Sequence, residues 1–236
     1  MATVQVTVRG AGAFGLSVAW ACQKRGAHVR VVDPNGVASG ASGGIVGALA
    51  PHVPEQWNPK KAFQLESLLM AADWWAEVEA AGGQSSGYGR TGRLQPLAAG
   101  AQDLAQSRAE GAKRLWQGRA VWQVVASQSG FVPNSETGLL IHDTLTARLH
   151  PAQACKALAA AITARGGEIT TDAPDEGAVS RATGWRGLPD MTAQHSRLVG
   201  AGIKGQSAAF RYAATEAPQV FVDGLHLVPH ANGTVA

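Results

Sequence analysis

The sequence predicts an α/β protein, on three observations. Strand-like and helix-like segments alternate from the start of the chain, a glycine-rich turn separates the first strand from the first helix, and the order of helix then strand returns after residue 150. Alternation of this kind is typical of a parallel sheet covered by helices. The composition is that of a globular protein, since 45% of the 236 residues are hydrophobic and 16% are charged.

The N-terminal residues predict a βαβ unit. Valines alternate with polar residues at first, as in a half-buried strand, and a glycine follows the expected helix, where helices often end. The unit is expected to contain a strand over 3–9, a turn at Gly10–Gly15, a helix over 13–25, and a second strand over 28–32 that ends at Asp33.

The rest of the chain predicts further helices and strands. Asn58 and Pro59 are typical of the cap and first turn of a helix, which we expect to end at Gly82-Gly83. Other helices are expected over 102–115 and from His150-Pro151 to Gly166-Gly167. Strands are expected over 92–97, 138–142, 168–171, 178–184, 205–212, 219–222 and 225–229, with no helix after residue 178.

Charge, cysteine content and hydropathy exclude several classes of protein. The net charge is +3, and Lys and Arg do not form the dense run that a nucleic-acid surface needs. Two cysteines are too few for a disulfide framework. No segment predicts a signal peptide or a membrane span, so we expect a cytoplasmic protein with no nucleic-acid or membrane partner. The sequence leaves open whether the protein forms a homo-oligomer.

A metal site is not expected. His226 and His230 form an H-x-x-x-H pattern, but that spacing brings two ligands together on a helix, and this segment predicts a strand. Arg90 and Arg93 lie in a predicted turn and strand, where a solvated face explains them, although one of them could contact a carboxylate.

The motif that carries chemistry is Gly10-Ala11-Gly12-Ala13-Phe14-Gly15, which has the form G-x-G-x-x-G. The first glycine permits a tight turn, the second lets backbone approach a pyrophosphate, and the third lets the helix pack on the strand. Alone, the pattern is weak in a chain with 29 glycines. Here a strand precedes it, a helix follows, and Asp33 lies about 20 residues further on, where an acid binds a ribose. The alternative is an ordinary turn, and Arg9, at a usually apolar strand end, departs from the pattern.

A loop of small residues follows Asp33 and favours FAD over NAD. It includes Ser42, Gly43 and Gly44, which offer a hydroxyl and bare amide groups directly after the expected ribose acid. Such a loop can wrap the rest of a pyrophosphate and approach a flat ring closely. The alternative is a flexible loop without a ligand.

On these residues the chain resembles the glycine oxidase and D-amino-acid oxidase family of flavoenzymes, especially glycine oxidases of thiamine biosynthesis. The resemblance covers nearly the whole chain and rests on six motifs in order. They are Gly10–Gly15 with Asp33, the part of the small-residue loop from Ser42 through Leu49, the helix from His150-Pro151, Ala182-Thr183-Gly184-Trp185, Lys204-Gly205-Gln206, and the strand over 225–229.

The resemblance implies FAD as cofactor and oxidation of an amino acid or amine, of glycine or D-amino-acid type, to an imine with O₂ as acceptor. It adds Thr183 and Gly184 to the cofactor site. His226 corresponds to a tyrosine that helps bind substrate in some relatives, and His52 follows the small-residue loop; we take both as candidate catalytic residues. A strand histidine and a surface-loop histidine are the respective alternatives.

The resemblance also implies the domain organisation. A Rossmann-type FAD-binding domain is expected from 1–75 and 150–205. A smaller α+β substrate domain, inserted over 76–149 and resumed over 206–236, is expected to complete the fold. The two rival functions are an NAD(P)-dependent dehydrogenase, which needs only the first βαβ unit, and a non-catalytic remnant of the flavoenzyme family.

The chain departs from the family pattern in two places. Residues 171–177 stand where relatives carry a β-hairpin, and the family's C-terminal portion, with a glycine-rich flavin contact and a carboxylate-binding arginine, has no counterpart. Asn232-Gly233 is a hairpin signal that asks for positive φ at both residues, yet only three residues follow it. We therefore expect the chain to stop inside an element, to leave the strand over 225–229 poorly paired along one edge, and to have weak FAD occupancy and little oxidase activity.

Overall fold

The computed structural model describes residues 4–236. Its strands are β1 (Val6–Arg9), β2 (Val29–Val32), β3 (Ala48–Leu49), β4 (Arg93–Pro96), β5 (Trp122–Ala126), β6 (Leu139–Asp143), β7 (Ala147–Arg148), β8 (Glu168–Thr170), β9 (Ala178–Arg181), β10 (Phe210–Arg211), β11 (Gln219–Val222), β12 (Leu225–Leu227) and β13 (Thr234–Val235). Its helices are α1 (Ala13–Lys24), α2 (Pro59–Gly82), α3 (Gln102–Trp116), α4 (Pro151–Ala164) and α5 (Leu188–Gln194). Short 3₁₀ turns occupy Ala41–Gly43 and Gly184–Gly187.

The chain forms two compact units that alternate along the sequence. The first unit comprises Met1–Ile45 (described from Val4), Ala76–Ser86 and Pro151–Ser207. The second unit comprises Val46–Trp75, Gly87–His150 and Ala208–Ala236. The expected FAD domain extended to residue 75, whereas residues 46–75 cluster with the second unit and residues 76–86 with the first.

A parallel sheet forms the centre of the first unit. Its strand order is β8-β2-β1-β9, and β1 pairs in parallel with both β2 and β9. Helices α1 and α4 pack together and bury Leu16, Trp20, Leu158 and Ile162 completely or almost completely. Parallel strands joined by helices are the α/β class that the sequence predicted, so that prediction is confirmed.

Ion pairs explain the polar strand ends of the first unit. Arg9 Nε donates to Asp175 Oδ1 over 2.6 Å. Arg30 donates to Glu168 and Glu176 over 2.7 Å each, and these hydrogen bonds raise the pKa of Arg30. The segment that carries Asp175 and Glu176 is the one that stands in place of the family's hairpin. An ion-paired face of the sheet therefore accounts for the unusual arginine before the glycine turn.

A mixed five-stranded sheet forms the centre of the second unit. Its order is β12-β11-β4-β6-β5; β11 and β4 are parallel, and the other neighbours are antiparallel. Helix α3 covers β5 with small side chains and Trp116, in a core that includes Trp122 and Leu145. The unit has the α+β character expected of the second domain.

The sheet of the second unit holds a buried ion pair. Arg93 is 8% exposed, and its Nε donates over 3.0 Å to Oδ2 of Asp143, its cross-strand partner. Asp143 Oδ1 accepts the Thr146 N–H over 2.7 Å. The expected solvated face is therefore wrong for Arg93, because a carboxylate in register neutralises it inside the sheet. Arg90 is exposed and donates to two backbone carbonyl groups.

Three parts of the predicted secondary structure are corrected. Helix α5 lies where no helix was expected; it has Pro189 in its first turn, but it buries no residue, so no apolar periodicity marked it. The strand expected over 205–212 is reduced to Phe210–Arg211. Strand β5 was not predicted, although it pairs along its whole length with β6.

The hairpin at the end of the chain forms, but with a different turn. His230 O accepts the Gly233 N–H, His230 N donates to Thr234 O, and only Gly233 of the Asn-Gly pair has positive φ, +79°. Val228 and Ala236 exchange two backbone hydrogen bonds, and β13 also pairs with β10. The expectation of positive φ at Asn232 is therefore wrong, and the three returning residues suffice for pairing.

No helix within residues 4–236 combines the length and the apolar character needed to cross a bilayer.

Candidate functional site

The glycine turn of the first unit requires glycine at both of its ends. Gly10 has φ of +116°, and a Cβ there would lie 2.3 Å from the Ala182 carbonyl oxygen. A Cβ at Gly15 would lie 1.9 Å from the Gly10 carbonyl oxygen. Both distances are far inside van der Waals contact. The turn is therefore closed tightly against β9 on one side and against its own helix on the other.

The amino end of α1 lies within this turn, because the helix begins at Ala13. Ala13 N donates to Ser42 Oγ over 3.0 Å, and a Cβ at Gly12 would lie 3.1 Å from the same hydroxyl oxygen. The N–H groups of Phe14 and Gly15 have no acceptor within residues 4–236. Phe14 itself is 85% exposed. Free N–H groups and the helix dipole make this end attractive to an anion.

Asp33 lies beside the turn at the carboxyl end of β2. Its Oδ2 accepts the Ala11 N–H over 2.9 Å, and its Oδ1 accepts the Asn35 N–H over 3.0 Å. An ionised carboxylate has about four acceptor positions, so two remain after these bonds. Asp33 also lines a cavity of about 360 Å³. The cavity is lined further by Ala11, Gly36, Val37, Ile169, Thr170 and Thr171.

The small-residue loop folds back over the turn. Ala38 N donates to Ala11 O over 3.0 Å, and Ala38 has φ of +59°. A Cβ at Gly43 would lie 2.3 Å from Ala38 O, so this position also requires glycine. Gly44 ends the short 3₁₀ turn that carries Ser42. The loop thereby holds the Ser42 hydroxyl at the amino end of α1.

A third segment, which follows β9, completes this side of the first unit. Ala182 N donates to Arg9 O over 2.7 Å, so the segment after β9 stays bonded to the end of β1, directly before the glycine turn. Thr183 precedes a 3₁₀ turn, and Gly184 has φ of +61°. The structure therefore brings the glycine turn, Asp33, the small-residue loop and Thr183-Gly184 together at the carboxyl edge of one parallel sheet, where α/β proteins bind ligands.

The two candidate histidines lie in the second unit. His226, on β12, contacts the Phe221 ring at 4.5 Å between centroids, and its Nδ1 is buried without a partner in the described residues. Burial lowers the pKa of His226 below its ordinary value of 6.5, and the charge of Arg93 lowers it further. His52 is half-buried and bonds to Gln64 through its backbone N–H and its Nδ1.

The segments that form this site match a known protein family. A model described as DAO, FAD dependent oxidoreductase, matches residues 5–197, which is most of the chain and includes all of the segments that form the site in the first unit.

The chain belongs to the DAO family of FAD-dependent oxidoreductases.

Solved structures show the same fold for this DAO-family chain. It is similar to a glycine oxidase from Bacillus cereus with a TM-score of 0.73 and 18% identity, covering 98% of the chain and 69% of that protein. It is similar to an L-amino acid deaminase from Proteus vulgaris with a TM-score of 0.67 and 16% identity, covering 99% of the chain and 60% of that protein.

A curated relative matches over a shorter segment. A candidate thiamine biosynthesis oxidoreductase, ThiO, from Rhizobium etli is 38% identical over 73 residues. The match spans 30% of the chain and 22% of that relative.

The residues of the DAO-family site fit FAD. The family's cofactor is a dinucleotide, and the described residues offer free N–H groups at a helix end for its pyrophosphate and a carboxylate with unused acceptor positions for its ribose. The cavity beside Asp33 offers space next to that carboxylate. Within residues 4–236, no group of three or more His, Cys, Asp or Glu is placed to hold a metal ion.

Two features of this DAO-family site were missed from the sequence. Arg186 reaches the small-residue loop, with Nη1 3.4 Å from Ser39 Oγ and Nη2 3.4 Å from Ser39 O. Ile169 and Thr170 line the cavity beside Asp33 from β8. Only the pairing of β8 with β2 places them there, and no short sequence motif encodes that pairing.

Proposed function

We propose that the chain oxidises a small amino acid or amine, of glycine or D-amino-acid type, to an imine, with O₂ as the final electron acceptor. The observation that carries this proposal is the convergence of the glycine turn, Asp33 and the Ser42 loop in a DAO-family chain. Two of its structural neighbours are described as a glycine oxidase and an L-amino acid deaminase. The match to a family of FAD-dependent proteins makes an NAD(P)-dependent dehydrogenase the poorer alternative.

We assign the cofactor to the first unit and the substrate to the second. Gly10, Gly12 and Gly15 would allow the backbone to approach the pyrophosphate, and the N–H groups of Phe14 and Gly15 would bind it, beside Ala13, whose own N–H donates to Ser42. Asp33 accepts hydrogen bonds from the adenosine ribose. Ser42, Gly43, Gly44, Thr183 and Gly184 line the remaining side. The chemistry that FAD supplies when bound is the removal of two electrons from the substrate's carbon–nitrogen bond and their transfer to O₂, which becomes hydrogen peroxide.

His226 is proposed to contact the amino group of the substrate. A lowered pKa keeps its imidazole neutral near pH 7, so it can accept a hydrogen bond from an amine without repelling a cation. Arg93 nearby disfavours a second positive charge on this ring. We retain His52 as a residue that borders the substrate, since its Nε2 is left for a further partner once Nδ1 has bonded to Gln64.

A peroxide assay tests this function. Purified chain is mixed with glycine, sarcosine or D-proline in the presence of FAD, and hydrogen peroxide and the visible flavin spectrum are measured. The proposal expects peroxide that depends on both substrate and FAD, at a low level because little oxidase activity is expected of this chain, and a higher KM in His226→Phe but not in the exposed control His195→Phe. Substrate-independent peroxide, or a flavin spectrum unchanged by every substrate under anaerobic conditions, would contradict it.

A further inference from the structure

The side chain of Arg186 closes a ring of segments over the amino end of α1. The ring begins at Gly10, which abuts the Ala182 carbonyl group, and continues through the 3₁₀ turn after Thr183. From that turn Arg186 reaches across to Ser39. The loop then returns to the helix, where Ser42 accepts the Ala13 N–H. These contacts place the Arg186 side chain on the same loop that carries Ser42 to the amino end of α1.

Arg186 carries an uncompensated charge at this position. Within residues 4–236, no carboxylate lies within ion-pair distance of its guanidinium. Its bonds to Ser39 are long, at 3.4 Å, and its other neighbour is the Trp185 ring, 5.4 Å from Cζ. The residue is exposed. A guanidinium has five N–H donors in a fixed fork, so most of its capacity stays available.

Arg186 differs from three other arginines of the first unit in the groups that it contacts. Arg9 and Arg30 bind carboxylates that lie on the face of the sheet. Arg181, which ends β9, lies 3.8 Å from Asp175. Arg186 is instead directed to a loop of serine and glycine that offers a hydroxyl and carbonyl groups but no counter-charge. A cation that is fixed weakly by neutral groups at an anion-attracting helix end is matched to a ligand with negative charge.

We propose that Arg186 binds the pyrophosphate of FAD and, by doing so, holds the small-residue loop closed over it. The inference rests on the cofactor of the proposed function, but not on the oxidation of any substrate. The phosphate oxygens would replace the long contacts to Ser39 with charge-assisted hydrogen bonds from the Nη groups. Arg186 is thus a cofactor-binding residue that also holds the loop.

The experiment compares ligands with and without phosphate. ADP and adenosine are titrated separately into the 236-residue chain and into Arg186→Gln and Arg186→Lys, by calorimetry at low salt. Arg165→Gln is the matched control, because Arg165 is also exposed and also lies on a tryptophan ring, at 4.7 Å from Trp20, but precedes β8 at the amino end of the strands. Thermal melting verifies that each variant is folded.

The expected result is a selective loss. Arg186→Gln should bind ADP about tenfold more weakly, as expected when one exposed charge-assisted contact is removed, with adenosine affinity unchanged. Arg186→Lys should lose less, and Arg165→Gln should lose nothing. The loss should shrink as salt rises. An equal loss for ADP and adenosine would show that Arg186 only shapes the loop, and an unchanged ADP affinity would show that it does not touch phosphate; either outcome overturns the proposal.

Discussion

At the scale of single residues, Asp33 has two tasks. It stabilises the glycine turn by accepting the Ala11 and Asn35 N–H groups, and we propose that its remaining acceptor positions bind a ribose. Asp33→Ala should therefore weaken FAD binding by about 1–3 kcal/mol, the cost of leaving such partners unmet. Fluorescence titration of FAD measures the change. Asp172→Ala is the control, since Asp172 is an exposed acid that follows the neighbouring strand β8; equal affinities for both variants would remove Asp33 from the site.

Gly12 depends on a neighbour that sequence alone does not reveal. A Cβ there would lie 3.1 Å from Ser42 Oγ, so a larger side chain would push Ser42 away from the helix end. Gly12→Val should therefore abolish FAD retention while the far-UV circular dichroism stays close to that of the parent. Gel filtration followed by an absorbance spectrum measures retained flavin. A yellow Gly12→Val protein would contradict this role for the position.

The geometry of the glycine turn could be predicted because the G-x-G-x-x-G pattern sets the backbone requirements of its residues. The spacing of the glycines and the later acid follows from one βαβ unit, and the structure gives Gly10 and Gly15 the close backbone contacts that the fingerprint demands. Arg186 could not be predicted in this way. Its position depends on a turn after β9 that meets a loop almost 150 positions earlier in the chain.

At the scale of elements, the C-terminal end of α2 packs directly against the backbone of α4. A Cβ at Gly82 would lie 2.6 Å from Ala161 N and 3.0 Å from Ala157 O. Gly82→Val should therefore destabilise the protein by about 1–3 kcal/mol, because the helices would have to separate. Urea unfolding measures the change. Ala80→Val, at an exposed position of the same helix, is the matched control; equal losses in the two variants would exclude a close contact at Gly82.

The loop before α2 is tied to α3 by an ion pair whose strength depends on pH. Arg108 donates to both carboxylate oxygens of Glu55, over 2.8 and 2.7 Å, and these hydrogen bonds lower the pKa of Glu55 below its ordinary value of 4.5. A lowered pKa stabilises the fold above about pH 4.5, and this contribution disappears as the pH falls through the folded-state pKa.

The variant Glu55→Gln isolates this contribution. It should be less stable than the parent at pH 7, by up to about 1 kcal/mol for a partly exposed pair, and the difference should vanish as the pH falls through the lowered pKa of Glu55. Thermal melting at a series of pH values measures both curves. A stability difference that persisted unchanged at pH 3 would show that the carboxylate charge is not its cause.

Helices and strands were predicted where burial imposes a pattern. The helices α1, α2, α3 and α4 present apolar or small residues to a core, and their caps and glycines mark their ends, as Asn58 Oδ1 does by accepting the Lys61 N–H. Helix α5 buries nothing and gave no such pattern. Strand pairing across long separations, such as that of β1 with β9, follows from tertiary contacts that local patterns do not contain.

At the scale of the whole molecule, the chain passes repeatedly between its two units. Helix α2 itself contains residues of both, since Trp75 belongs to the second unit and Ala76 to the first. The division implied by the family resemblance placed the helix up to residue 75 in the FAD domain. Residues 46–75 instead cluster with the second unit, where Leu65 and Leu68 belong to a core that also contains Ala105. Because this core joins distant positions of the chain, no local pattern indicates it. The assignment of cofactor and substrate to the units stays a proposal.

The central claim is that the first unit holds FAD. FAD is titrated into the purified 236-residue chain, first alone and then in the presence of excess NAD⁺, and binding is measured by calorimetry and by quenching of flavin fluorescence. We predict saturable but weak binding of one FAD per chain, weakened further in Asp33→Ala and unaffected by NAD⁺. Binding of NAD⁺ in preference to FAD, or FAD binding that is identical in the parent and in Asp33→Ala, would contradict it.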